Sequence, residues 1–121
     1  MPVIAYTIVC TEKKILAPGV YQLRFTKPEN FSFKAGQFVL FDVPLVSNPA
    51  DTQPRAYSLA STPAEPDLLF AIKLTPGGRS STWIEQALNA GTSVVMKGPF
   101  GPFTLDAKTS KNFLFLCTGA G

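Results

Sequence analysis

Turn signals recur along this chain at intervals too short for helices. Pro18-Gly19, Lys27-Pro28-Glu29-Asn30, Ala35-Gly36 and the stretch from Pro63 to Pro66 cut the sequence into brief apolar segments. The segments between them have strand character. Tyr21, Leu23 and Phe25 alternate with Gln22, Arg24 and Thr26, the period of a half-buried strand. Val3 to Cys10 is rich in β-branched residues, and Gln37 to Val43 is apolar on both faces. Leu68 to Leu74 and Thr92 to Lys97 supply two more strands. Short strands at this spacing form an antiparallel barrel or sandwich. The eleven prolines fall mainly in the connections, as intact sheet ladders require. Pro44 to Pro54 is expected to be the longest polar connection, a mobile surface loop or a lip over a neighbouring site.

One helix interrupts the strands. Trp83, Ile84, Ala87 and Leu88 share a face at helical spacing, with Trp83 expected to fill core. Thr82 followed by Glu85 has the form of a capping box, and Asn89-Ala90-Gly91 that of a left-handed stop. Asn112 to Cys117 (Asn-Phe-Leu-Phe-Leu-Cys) is a continuous apolar run, the pattern of a strand buried on both faces of a parallel sheet. Thr118-Gly119-Ala120-Gly121 follows it like the turn into a helix.

Composition narrows the function. At 121 residues the chain is sized for a single domain, and 45% hydrophobic against 16% charged residues argues against disorder. The net charge of +3 comes from scattered residues with no basic run, which speaks against nucleic acid. A small oligonucleotide-binding barrel would interleave aromatic and basic residues on one face, and no such cluster is present. Histidine is absent, which removes the commonest general base and metal ligand. Cys10 and Cys117 both lie in apolar runs; buried inert thiols are favoured over a disulfide. The N-terminus lacks the form of a signal peptide and no apolar run is long enough to span a bilayer, so a cytoplasmic location is the default.

Two motifs carry chemistry. Arg55-Ala56-Tyr57-Ser58 sets a guanidinium, an aromatic ring and a hydroxyl in four residues of strand. Gly77-Gly78-Arg79-Ser80-Ser81 is a glycine-rich turn opening the helix. Alone, the first is an ordinary strand and the second an ordinary helix entry. Together they suit a cofactor with a flat ring at one end and a pyrophosphate in the middle, which is a flavin. A helix start offers free N–H groups and a positive dipole end to phosphate, and Arg55 can add a bidentate clamp. Tyr57 can stack on the ring, and Ser58 can serve its redox-active nitrogen. In a regular strand Arg55 and Tyr57 face one way, and Ala56 and Ser58 the other. For Ser58 to reach the same ring, the strand must bend or end there, or Ser58 must act through its backbone N–H.

With Gly98-Pro99-Phe100-Gly101 and the Phe113 to Gly121 segment, these motifs resemble the flavin-binding domain of the ferredoxin–NADP reductase superfamily, over nearly the whole chain. The resemblance implies an all-β fold, a six-stranded antiparallel Greek-key β-barrel with one short α-helix. It implies that residues 1–110 form the flavin domain and that 111–121 are the first strand and glycine turn of a truncated nicotinamide domain. It implies FAD in preference to FMN, with Arg55 on the phosphates, Tyr57 stacked on the isoalloxazine and Ser58 as the catalytic residue near its reactive nitrogen. Ala56 belongs to the same segment, and Gly78, Arg79, Ser80 and Ser81 would hold the pyrophosphate. The backbone of Ile72, Lys73 and Leu74 would border the ring, and Gly98 to Gly101 would be a structural turn.

The implied activity is electron relay from NAD(P)H through flavin to a redox partner such as an iron–sulfur or haem protein. NAD(P)H binding needs the missing domain, so the chain alone is not expected to oxidise it. The alternatives are half of a split reductase, or a cofactor-free barrel that pairs with another subunit through the apolar C-terminal strand.

Overall fold

The computed structural model describes residues 3–105, 108 and 111–120. Six strands and one helix follow in the order β1 (Ala5–Ala17), β2 (Val20–Thr26), β3 (Phe38–Leu45), β4 (Asn48–Ser58), β5 (Asp67–Lys73), α1 (Arg79–Gln86) and β6 (Ser93–Phe100). The strands form one sheet in the order β4-β3-β6-β1-β2-β5, and every pairing is antiparallel. Inserting β6 between β3 and β1 gives the Greek-key crossing. The expected all-β class, strand number and single helix are all present.

The barrel is not closed by strand pairing. β4 and β5 stand at the two ends of the sheet order. They meet just beyond Ser58, where Ala60 N–H donates to the Leu69 carbonyl (2.8 Å) and Leu69 N–H donates to Ser61 Oγ (3.1 Å). Along Arg55 to Ser58 the outer edge of β4 has no strand beside it among the described residues.

Alternation builds the core. Ile8 and Cys10 of β1, Leu23 and Phe25 of β2, Val39, Phe41 and Val43 of β3, and Leu68, Phe70 and Ile72 of β5 are all buried at every second position. Phe41 is the hub. Its ring centroid lies 5.3 Å from Phe25, 5.0 Å from Phe70 and 5.3 Å from Tyr57. Trp83, Ile84 and Leu88 join this core, so Trp83 is core filler as expected.

Four expectations need correction. Pro44 to Pro54 is not a loop: β3 and β4 run through it as a hairpin turning at Val46-Ser47. Its polar, proline-rich sequence is that of a solvated edge strand, exposed from Asn48 to Pro54, with prolines that offer no donor to a passing strand. The helix starts three residues before Thr82, with Gly78 at the N-cap and no side-chain cap, so Thr82 and Glu85 form no capping box. It ends at Gln86, and Gly91 supplies its left-handed φ of 98° in the turn that follows. The Asn112 to Cys117 segment forms no strand, and Leu114 (83%) and Leu116 (86%) are exposed, because no partner strand flanks it among the described residues. Cys117 is accordingly an exposed free thiol, whereas Cys10 is buried and free as expected. Of the terminal glycine turn, Gly121 lies outside the described residues.

Candidate functional site

Strand β4 presents its motif as the period-2 rule dictates. Arg55 and Tyr57 are half-buried, while Ala56 and Ser58 are exposed. The strand ends at Ser58. Immediately after it, Leu59 N–H donates to Gln37 O (3.1 Å) on the β3 side and Ala60 turns toward β5. Ser58 therefore stands where the chain leaves one edge of the sheet for the other, which meets the requirement that the strand end there.

Tyr57 packs its ring on Phe41 and on the core. Burial pushes its phenol above the ordinary value, while the Ser80 hydroxyl and the Arg55 charge pull the other way. Arg55 and Tyr57 share the half-buried face of β4, and the Ser80 hydroxyl lies beside the phenol, joining the β4 motif to the helix start. The Ser80 Oγ is buried and makes no hydrogen bond of accepted geometry, although it lies near enough to bias the phenol. An orphaned buried hydroxyl is costly unless a ligand satisfies it.

Among the described residues Arg55 holds no carboxylate. Its guanidinium folds back along its own strand, donating to Pro54 O (2.9 Å) and Gln53 Oε1 (3.0 Å). Among the described residues no acidic group lies within ion-pair distance of it, so its charge is available to an anion. Arg79 is different. It donates to Asp51 O (2.8 Å), pairs with Asp51 Oδ1 (3.2 Å) and reaches Val43 O (3.4 Å), tying the β3–β4 hairpin to the helix start. Its side chain is committed to the fold, and only its backbone N–H faces the role expected of it.

Ser81 is also partly committed. It is buried, and its Oγ accepts from Thr75 N–H (2.7 Å), which closes the loop from β5 into α1. The first helical hydrogen bond runs from Thr82 N–H to Gly78 O (3.0 Å), so the N–H groups of Arg79, Ser80 and Ser81 precede the intrahelical ladder. Gly78 sits tight above this loop: a Cβ there would come within 3.1 Å of Thr75 O. Ile72 is buried in the core, so only its backbone can meet a ligand, while Lys73 is exposed and Leu74 half-buried.

Gly98 to Gly101 is strand end and wedge rather than free turn. Gly98 and Phe100 belong to β6, and a Cβ on Gly101 would press within 3.1 Å of the Phe38 ring. An open pocket of about 400 Å³ lies at the helix start, lined by Leu45, Gly77, Arg79 and Thr82 among others, and a larger one of about 800 Å³ lies away from the motif, lined by Phe33, Gly36, Phe103 and Phe115 among others. The candidate site is thus an open face between two sheet edges. No group of metal-ligating side chains exists among the described residues.

Sequence reasoning missed the residues that hold the helix start in place. Asp51, Gln53 and Thr75 are fixed partners of Arg79, Arg55 and Ser81, and no local pattern marks them.

The family model described as "Oxidoreductase FAD-binding domain" matches residues 7–105. The chain belongs to this FAD-binding family. It is 36% identical over 109 residues to ferredoxin–NADP reductase B of Sorangium cellulosum, covering 88% of this chain and 43% of that protein. It is 36% identical over 93 residues to the propane 2-monooxygenase reductase component of Gordonia sp. (strain TY-5), covering 74% and 25% respectively. Among solved structures, the Amycolatopsis cytochrome P450 reductase GcoB superposes with a TM-score of 0.75 at 29% identity, covering 88% of this chain and 31% of that one. The chain spans between 25% and 43% of the length of the two sequence relatives.

The residues present suit FAD, the cofactor in the family's description. Arg55 and Tyr57 share one face of β4, the buried Ser80 hydroxyl lies beside the Tyr57 phenol, and the N–H groups of Arg79, Ser80 and Ser81 precede the helical ladder. No helix among the described residues is long and apolar enough to cross a membrane.

Proposed function

We propose that this chain is the FAD-holding part of a reductase that draws electrons from NAD(P)H and relays them to a redox partner protein. The meeting of Arg55, Tyr57 and the orphaned Ser80 hydroxyl at the start of α1 carries this reading. Arg55 and the N–H groups of Arg79, Ser80 and Ser81 would hold the pyrophosphate, with the Ser80 hydroxyl completing the cradle. Gly78, without a side chain, lets the backbone approach the pyrophosphate closely. Tyr57 would stack on the ring. Ala56 and Ser58 end β4 beside the seam, where Ser58 would serve the reactive ring nitrogen by hydroxyl or N–H. The backbone of Ile72, Lys73 and Leu74 would line the other side.

Bound flavin supplies the ability to accept a hydride and release its electrons singly; the protein binds and orients it. No side chain need act as a general base, consistent with a chain that has no histidine. Residues 1–110 are assigned to the flavin domain and 111–121 to the start of a nicotinamide domain. The exposed apolar Phe113 to Leu116 segment supports that assignment, since a strand of such composition is stable only when covered. The same exposure favours one alternative, in which the segment pairs with another subunit. A cytoplasmic setting accords with two free cysteines.

The deciding measurement is the visible spectrum of the purified chain titrated with FAD. Saturable perturbation of the flavin bands is expected. A spectrum identical to that of free FAD throughout would reject a flavin site on this chain.

A further inference from the structure

Helix α1 is electrostatically lopsided. It has no acidic residue in its first turn, no basic residue in its last turn and no side-chain cap at Gly78. Nothing in its own sequence compensates either end of its dipole. Its carboxyl end is nevertheless neutralised from outside. Lys13 of β1 reaches across to the helix, and its Nζ donates to Ile84 O, to Leu88 O (2.9 Å) and, at longer range, to Glu85 O (3.5 Å).

Three carbonyls match the three donors of an ammonium group. The Tyr21 ring lies 5.5 Å from the same nitrogen, which adds a cation–π contact. Lys13 forms none of the ion pairs among the described residues, while its neighbour Glu12 is taken by Arg24 (3.3 Å). Its charge is directed at the helix terminus.

We propose that Lys13 is a positioning residue for the flavin pyrophosphate, acting through α1. This rests on the assignment of the helix start as the phosphate cradle. An eight-residue helix is about 12 Å long, and one so short is marginal without outside support. Lys13 holds the last carbonyls in place and cancels the negative pole of the helix. Loss of the cation frees the last turn, and in so short a helix the disturbance reaches the N–H groups of Arg79 to Ser81.

The test compares FAD, FMN and riboflavin, which differ in phosphate and share the ring. Lys13→Met is expected to weaken FAD and FMN binding on the order of three- to tenfold and to leave riboflavin within about twofold. Lys13→Arg, which keeps a cation at the helix end, should restore most of the loss. If the methionine variant does not fold, Lys13→Gln takes its place, with the same split expected at smaller size. Equal loss for all three ligands would reduce Lys13 to general scaffolding, and no loss would remove its role; either result overturns the proposal. So would failure of the unaltered chain to favour the phosphorylated ligands. Arg55→Ala, run alongside, reports on the cradle itself: if it leaves FAD affinity unchanged, the cradle assignment of Arg55 fails, while the fate of Lys13 is still read from its own split.

Discussion

Ser80 and Ser81 are adjacent, identical in chemistry and opposite in their commitments, so truncating each to alanine should have opposite consequences. Ser81 Oγ accepts from Thr75 N–H at 2.7 Å in a part-buried setting. Its removal leaves that N–H without a partner, at a cost of about 1–3 kcal/mol. Ser80 Oγ is buried with no hydrogen bond, so its removal should cost nothing and gain up to roughly 1 kcal/mol. The alanine helix-propensity gain, a few tenths of a kcal/mol, applies to both variants and largely cancels between them. The two should therefore differ by about 1–4 kcal/mol in urea unfolding without flavin, with Ser81→Ala the weaker.

Flavin should divide them again. A hydroxyl donating to a charged phosphate contributes about 1.5–3 kcal/mol, so Ser80→Ala should weaken FAD by roughly one to two orders of magnitude in a fluorescence titration. A Ser80→Ala protein as unstable as Ser81→Ala would mean that the Ser80 hydroxyl has a partner after all. One that binds FAD normally would exclude that hydroxyl from the cradle.

Three further outcomes follow from the same geometry. Arg55→Ala loses only hydrogen bonds within its own strand, so its melting temperature should stay within a few degrees while FAD affinity falls on the order of tenfold or more; unaltered affinity would count against Arg55. Phe41→Ala removes the ring shared by Phe25, Phe70 and Tyr57 and should cost about 3–5 kcal/mol in chemical denaturation, and a loss below about 1 kcal/mol would contradict its place as the hub.

The third concerns Tyr57. Its phenol is raised by burial, so the folded state holds that proton more tightly than the unfolded state does. Its contribution is complete below the ordinary phenol range and is lost as pH rises through the raised value. Stability should thus fall with alkaline pH in that window, and Tyr57→Phe should flatten the fall; identical alkaline profiles would refute the shift.

Much of this molecule was legible from local pattern. The alternation of Tyr21, Leu23 and Phe25 marked β2, and Trp83 and Ile84 marked the apolar face of α1, with Leu88 packing just beyond its end. Such periods are properties of the backbone, and burial of one face enforces them. The motif residues were legible for a related reason: cation, ring, hydroxyl and glycine turn each have a chemistry that does not depend on neighbours far along the chain.

Tertiary structure decided what those residues are free to do. Arg79 and Arg55 read alike in the sequence, yet Asp51 claims the first and, among the described residues, no carboxylate claims the second. Ser80 and Ser81 read alike, yet only Ser81 is bonded to Thr75. Pro44 to Pro54 read as loop because edge strands and loops share a solvated, proline-tolerant composition; β3 settled it by pairing along its length. Lys13 is 71 residues from Ile84, and no local signal joins them. Sequence patterns report what a residue can do with its immediate neighbours. Which charge remains unpaired and which hydroxyl unsatisfied depend on partners that only the folded chain brings within reach.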